Sequence, residues 1–194
     1  MSDLQPPPGF VETPHPAIDG PEGRVAHVES IVIDRPLAEV IATVDATPLS
    51  VRHPAAGGLP GVAGTLPLTA DGFGPVGGRH LVFLTDGTTV IEQVIENGKT
   101  DADWRFRYVV WGYTTPAAAP LRYGLGDFHY VAEGEGKTRC VWNYSFGLKP
   151  NAFPGFLGVR VGGFLLKLAF LNGPYATWMR AGLTAIKGAC EARS

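Results

Sequence analysis

Residues 78–113 read GRHLVFLTDGTTVIEQVIENGKTDADWRFRYVVWGY, and this stretch decides the fold. It contains runs in which apolar and polar side chains alternate, at residues 78–85, 88–96 and 103–113. Alternation with a period of two is typical of β-strands. Asp86-Gly87 and Asn97-Gly98 lie between the runs, and such pairs favour hairpin turns of two or slightly more residues. The stretch therefore predicts consecutive antiparallel strands.

The same pattern continues on both sides of this stretch. Downstream, strand-like runs occupy residues 121–132 and 137–148, and Gly134-Glu135-Gly136 between them is another hairpin signal. Upstream, residues 24–33 alternate in the same way. Residues 46–78 hold many glycines and prolines, so we expect loops around a weak strand at residues 64–68. The whole predicts an antiparallel meander preceded by one separate strand.

Helical spacing appears at two places. Leu37, Val40, Ile41 and Val44 predict a short helix after the first strand. From Pro174 onward, apolar residues recur at intervals of three and four, which predicts a long amphipathic helix near the C-terminus. The apolar segment before it, residues 153–172, is either a separate helix or the first part of a single kinked helix.

Residues 1–23 differ in composition from the rest of the chain. They contain six prolines, which favours extended, solvated backbone over a packed element. We therefore predict an N-terminal arm at residues 1–23 and one domain at residues 24–194.

Charge and composition exclude several classes of protein. The net charge is −2 and no run of Lys or Arg occurs, which argues against nucleic-acid binding. The N-terminus lacks the features of a signal peptide, and two cysteines suggest no disulfide framework, so we expect a cytoplasmic protein. Arg160, Lys167 and several glycines interrupt the stretch 153–171, which argues against a membrane span.

The order of elements resembles that of the START-like (SRPBCC) superfamily, which includes birch pollen allergens, abscisic acid receptors and bacterial polyketide cyclases. Residues 77–83 and 91–94 are similar to its third and fourth strands, and residues 134–142 are similar to its last hairpin, with Pro150 after the final strand. The resemblance implies an α+β helix-grip fold, in which a curved antiparallel sheet wraps around a long C-terminal helix. It also implies an internal cavity for a hydrophobic small molecule.

The alternation predicts which side chains face this cavity. On the run at 78–85, Arg79, Leu81 and Phe83 share one face; on the run at 88–96, Val90 and Glu92 share one. We expect these faces to point inward, which makes Glu92 the conspicuous polar group. The run at 103–113 directs its aromatic face inward, with Trp104, Phe106, Tyr108 and Val110.

Two strands are harder to orient. In the run at 121–132, Tyr123, Asp127 and His129 share one face, while Phe128 and Tyr130 share the other, and both faces have a claim to burial. Asp127 and His129 would form a proton-transfer pair if they faced the cavity, but an outer, solvated position is favoured. In the last strand hydrophobicity favours Trp142 and Tyr144 as inward residues, whereas counting back from Pro150 along the plant receptors favours Asn143.

The candidate site combines these assignments. The candidate catalytic residues are Glu92, His129 and Tyr108, with Arg79 as an anion-binding group. The predicted ligand-binding residues are Arg79, Leu81, Phe83, Val90, Glu92, Phe106, Tyr108, Val110, Tyr123, Trp142, Asn143 and Tyr144. The five histidines have no ligand spacing, so no metal and no cofactor are expected.

Three functions are compatible with this sequence. The leading hypothesis is a non-catalytic carrier or sensor of a lipid, polyketide or other polycyclic molecule. The rival is an enzyme of the polyketide cyclase or dehydratase kind. The third is an interaction module, in which residues 153–172 contact a membrane or a second copy of the chain.

Overall fold

One antiparallel sheet organises the protein. The computed structural model describes residues 4–134 and 136–192. The described residues form a seven-stranded sheet in the order β1-β7-β6-β5-β4-β3-β2. The strands are β1 (Arg24–Ile33), β2 (Val62–Pro67), β3 (Arg79–Leu84), β4 (Thr89–Lys99), β5 (Asp103–Trp111), β6 (Leu121–Ala132) and β7 (Thr138–Leu148). The predicted meander is therefore confirmed, and the separate first strand pairs with the last one.

The helices lie on one side of this sheet. They are α1 (Leu37–Ala46), α2 (Leu49–Arg52), α3 (Gly158–Leu166), a π-helical segment (Lys167–Tyr175) and α4 (Ala176–Glu191). Short 3₁₀ turns occur at Pro21–Gly23, Pro116–Ala118 and Gly155–Leu157. Helix α4 contacts β1 and α1, and it buries Met179, Leu183 and Ile186 against the concave face. This is the α+β helix-grip arrangement.

The apolar segment and the C-terminal helix form one continuous helical stretch. Of the two alternatives, the single helix is the one observed, because no break occurs at Asn172-Gly173-Pro174. Pro174 lies inside the π-helical segment. Proline lacks an N–H and crowds the carbonyl four residues before it, and the wider π turn changes those backbone pairings.

The hairpin between β3 and β4 has a three-residue loop. The backbone N–H of Leu84 donates to the carbonyl of Thr88, so Thr85, Asp86 and Gly87 form the turn, with Gly87 at a φ of 84°. A two-residue turn at Asp86-Gly87 would place Leu81 opposite Glu92. In the observed register His80 lies opposite Glu92. This slip of one residue turns the other face of β3 toward the cavity.

A turn predicted at Asn97-Gly98 is wrong. Strand β4 continues to Lys99, where it pairs with Trp104. The Asn97 side chain instead joins two other segments. Its amide donates to the carbonyl of Gly74 (2.9 Å), and its oxygen accepts from the indole N–H of Trp104 (2.9 Å). The chain reverses instead at residues 100–102.

The described part of the N-terminal arm is extended, but it packs on the sheet, contrary to the solvated backbone expected from its prolines. Phe10 lies against the convex face, and the carbonyl of Thr13 accepts a hydrogen bond from the indole of Trp111 (2.9 Å). Glu12 forms an ion pair with Arg79 (3.0 Å), and Asp19 pairs with Arg122. The arm therefore acts as a cover for the outer side of the sheet.

Both faces of the sheet consequently carry buried apolar side chains. The concave face belongs to the main core under α4. The convex face carries a second buried cluster, made of Leu81, Ile91, Val109, Trp111, Tyr123 and Leu125. Alternation alone cannot distinguish an inner face from an outer face that is also covered.

Candidate functional site

A cavity of about 520 Å³ lies between the concave face of the sheet and the helices. This volume is within the range of small-molecule sites in proteins. The sheet contributes aromatic and branched side chains, and α2, the π-helical segment and α4 contribute the opposite wall. Most of the lining is apolar, so the cavity suits a ligand with a largely apolar body.

Six predicted ligand-binding residues line this cavity. They are Val90, Glu92, Phe106, Tyr108, Val110 and Tyr144. Trp142 also points inward, which confirms the orientation favoured over Asn143. It is fully buried between Phe128 (ring centroids 4.6 Å apart) and Trp178 (5.5 Å). Trp142 thus packs against two residues of the cavity wall, Phe128 and Trp178.

Five other predicted ligand-binding residues lie outside the cavity. Arg79, Leu81 and Phe83 were placed inward, but they lie on the convex face because of the three-residue loop described above. Tyr123 is buried on the same face, where its hydroxyl accepts from the backbone N–H of Asp19 (2.8 Å). Asn143 alternates with Trp142 and so points outward as well. Their inward placement was wrong.

His129 does not face the cavity. Its ring lies on the convex side, where Nε2 is 2.9 Å from a carboxylate oxygen of Asp103. Asp127 is also outside, paired with Arg105 (2.7 Å). Both residues lie on the outer face, as favoured, although the Asp127 side chain is only 14 % exposed, and the assignment of His129 as a cavity acid or base is wrong.

Glu92 has a partner that sequence reasoning missed. Its Oε2 lies 2.8 Å from Nε2 of His80, directly across the β3–β4 ladder. The two side chains are only 12 % and 6 % exposed, and Phe73 stacks on the imidazole with the ring centroids 3.7 Å apart. Glu92 lines the cavity and His80 lies beside it. The signal was the hairpin itself, because its loop length decides which residue faces Glu92.

Buried tyrosines supply further polar atoms. Tyr108, Tyr113, Tyr144 and Tyr175 line the cavity. Burial, and next the Glu92 charge, raise the pKa of Tyr108 well above its ordinary value. Burial likewise raises the pKa of the other three hydroxyls. All four are therefore neutral phenols that can donate hydrogen bonds to a ligand.

Two glycines of β6 make room for these rings. A Cβ at Gly124 would lie 2.5 Å from Oη of Tyr144 and 2.6 Å from Oη of Tyr113, and a Cβ at Gly126 would collide with the ring of Tyr108. The absence of side chains at these positions lets the tyrosines lie flat across the strand. The glycines of β6 thus set the depth of the cavity.

Helix α2 closes one side of the cavity with Arg52 and His53. Burial, and next the Arg52 charge, lower the pKa of His53 from 6.5 to about 3, and the nearby Leu49 carbonyl only partly opposes this. The ring is edge-on to Trp142 (5.4 Å). Sequence reasoning missed both residues, since they lie in the glycine- and proline-rich region 46–78.

Metal coordination finds no support in residues 4–134 and 136–192. No group of three or more His, Cys, Asp or Glu side chains there is arranged to hold an ion. Besides the phenols, the charged or titratable side chains that line the cavity are Asp45, Arg52, His53, Asp86 and Glu92, and His80 is paired with Glu92 beside it. Such a set can orient a ligand by hydrogen bonds and can transfer a proton.

Comparison with known proteins identifies the fold. No protein-family model matches the sequence, and no curated protein matches it. Among solved structures, Ara h 8.0201 is 17 % identical, with a TM-score of 0.58 over 88 % of this chain and 100 % of that one. The Zhui aromatase/cyclase from Streptomyces sp. R1128 is 12 % identical, with a TM-score of 0.59 over 88 % and 95 % of the two chains.

A third similar structure is the di-domain ARO/CYC BexL from the BE-7585A biosynthetic pathway. It is 21 % identical, with a TM-score of 0.56 over 90 % of this chain and 52 % of that one. This chain therefore corresponds to about half of BexL. At such identities the three likenesses establish the helix-grip fold, and the site has to be argued from its own residues.

Proposed function

We propose that this protein binds a small hydrophobic molecule with at least one ring and one hydrogen-bonding group in its cavity. The observation that carries the proposal is the cavity of about 520 Å³, whose aromatic walls enclose neutral tyrosine hydroxyls. Flat aromatic walls favour flat ligands, and buried hydroxyls reward a ligand carbonyl or hydroxyl. The similar structures include two aromatase/cyclases, which makes polycyclic aromatic molecules the first ligands to test.

A fluorescence titration with the apolar probe N-phenyl-1-naphthylamine tests this proposal. Val90 lines the cavity, so Val90→Phe fills part of the space and should weaken probe binding by roughly tenfold or more. Val28→Phe is the matched control, because Val28 is exposed on β1. Native mass spectrometry of the purified chain should show a co-purified small molecule in the wild type.

One result would contradict the binding proposal: a Val90→Phe variant that is folded, as checked by circular dichroism, and still binds the probe as tightly as the wild type. Binding lost equally in Val28→Phe would also reject an internal site.

The pair Glu92–His80 favours a second candidate function, acid/base catalysis of the cyclase or dehydratase kind. Glu92 is the base that removes a proton from a methylene next to a carbonyl, and His80 holds its carboxylate in place. The resulting carbanion attacks a second carbonyl carbon of the same molecule, and a phenol such as Tyr108 donates a hydrogen bond to the developing alkoxide. Protonation of that oxygen and loss of water complete the ring.

Turnover of a linear poly-β-ketone thioester separates catalysis from binding. We expect Glu92→Gln to lower kcat by roughly 10²–10⁴-fold while probe affinity changes little. His129→Gln is the control, since His129 lies on the convex face. Turnover that survives in Glu92→Gln, or that is absent from the wild type, would reject catalysis and leave the binding proposal standing.

A further inference from the structure

An exposed apolar stripe follows the outer side of α3 and the start of the π-helical segment. Its members are Leu157, Val161, Phe164 and Leu168, and their spacings of four, three and four residues place them along one helix face. They are 39 % to 68 % exposed. Phe153 and Phe156 extend the exposed apolar surface toward β7. An apolar patch of this kind marks an interaction surface.

The other side of α3 explains why the large side chains point outward. Gly162 and Gly163 are buried, and a Cβ at Gly163 would lie 2.7 Å from Cγ2 of Val25 on β1. A Cβ at Gly162 would collide with the carbonyl of Pro154. The helix therefore uses glycines to contact its own domain and presents its bulky residues to the outside. A helix that served only the core would show the reverse arrangement.

Cations without carboxylate partners border the stripe. Lys149, Arg160 and Lys167 are exposed, and none of them has an ion-pair partner within 4 Å among the described residues. Arg160 and Lys167 immediately precede Val161 and Leu168, so both lie along one edge of the stripe. The sequence contains no Asp or Glu between Glu135 and Glu191. All charged side chains of residues 136–190 are therefore cations.

We propose that this stripe docks the protein on an anionic lipid bilayer. Phenylalanine and leucine on one helix face, bordered by Lys and Arg, are typical of helices that lie in the membrane interface. The charge also argues against a second copy of the chain, because a two-fold contact brings the same patch, with its cations, against itself.

The protein lies on the membrane rather than across it. By length and hydropathy the helical stretch Gly155–Glu191 could span a bilayer. Its second half, however, buries Met179 and Leu183 in the core, and Arg180 pairs with Glu29 of β1 (3.0 Å). Only the first half is available to lipid. Leu166 and Phe170 of this half line the cavity, so the docked surface and the cavity wall belong to one helix.

Vesicle flotation of the full chain tests the proposal. We expect the wild type to float with vesicles of equal parts phosphatidylcholine and phosphatidylglycerol, and not with phosphatidylcholine alone, at about 0.15 M salt. Phe164→Glu with Leu168→Glu should abolish flotation. Arg160→Gln with Lys167→Gln should weaken binding roughly tenfold or more, since each cation near an anionic surface contributes about 1 kcal/mol.

Controls match each variant. Val28→Glu places one glutamate on an exposed valine of β1, and Arg139→Gln removes one cation, which pairs with Glu133 (2.6 Å); both should float like the wild type. Circular dichroism confirms that each variant folds. Three results would overturn the proposal: no flotation of the wild type, unchanged flotation of Phe164→Glu with Leu168→Glu, or a wild-type dimer in size-exclusion chromatography that this variant dissociates.

Discussion

His53 is an imidazole held neutral inside the wall of the cavity. Its ring packs at nearly a right angle to the ring of Trp142 and lies 5.3 Å from the ring of Trp178. Burial is the main cause of its low pKa, about 3, and the Arg52 charge adds to it. In the unfolded chain His53 is therefore protonated below about pH 6.5, whereas in the folded protein it stays neutral down to about pH 3.

The stability of the fold should depend on pH through this residue. The contribution of neutral His53 to the free energy of unfolding is fully present above pH 6.5 and is lost as the pH falls from 6.5 toward 3. The loss between pH 7 and pH 5 is about 2 kcal/mol. His53→Phe keeps the ring contacts and removes the titration, so urea denaturation should show a smaller loss over this interval. His129→Gln is the control and should retain the wild-type slope. An equal slope in His53→Phe would contradict the assignment.

At the same scale, sequence reasoning found some site residues and missed others. Glu92, Tyr108 and Tyr144 could be predicted because their faces alternate cleanly. His80 could not, since its pairing with Glu92 depends on whether the β3–β4 loop has two or three residues. Arg79, Leu81 and Phe83 were misplaced for the same reason.

Among the elements, the N-terminal arm contributes tertiary contacts to the folded domain. It covers the convex cluster with Phe10 and accepts the indole hydrogen bond of Trp111 through Thr13. Sequence reasoning predicted its extended form from its prolines. Its packing could not be predicted, because the contacts join residues 67 to 104 positions apart.

Removal of the arm should destabilise the domain. Deletion of residues 1–16 removes the Phe10 contact and leaves Trp111 without its acceptor, which we expect to cost about 2 kcal/mol or more in the free energy of unfolding. Binding of 1-anilinonaphthalene-8-sulfonate should rise as the convex aromatics become exposed. Glu12→Gln, which removes only a partly exposed ion pair, should cost about 0–1 kcal/mol. A deletion no more harmful than Glu12→Gln would disprove the role of the arm as a cover.

The strands and α4 could be predicted because each carries a regular period over many residues. Residues 46–78 carry none. Their order comes from distant contacts, such as the hydrogen bond from the Gly61 N–H to the Thr85 side chain (3.1 Å). Local sequence does not encode such contacts.

At the scale of the whole molecule, the cavity links ligand binding to stability. A ligand that binds only the folded state stabilises it by about 2.7 kcal/mol at one hundred times its Kd. Thermal unfolding with N-phenyl-1-naphthylamine should therefore show a Tm that rises with probe concentration in the wild type. Val90→Phe occupies part of the space, so its Tm should respond much less. A Tm that is independent of the probe in the wild type would rule out this linkage.

The two apolar faces of the sheet also determine which substitutions the protein tolerates. In a sheet with one solvent-exposed face, every second residue of a strand tolerates substitution. Here Leu81 and Val82 are both buried, as are Val90 and Ile91, so a saturation scan should find consecutive intolerant positions there. Near the beginning of β5, where Arg105 and Arg107 reach solvent, alternate positions should again tolerate substitution. The positions at which consecutive residues do not tolerate substitution would thus mark the part of the sheet that the arm covers.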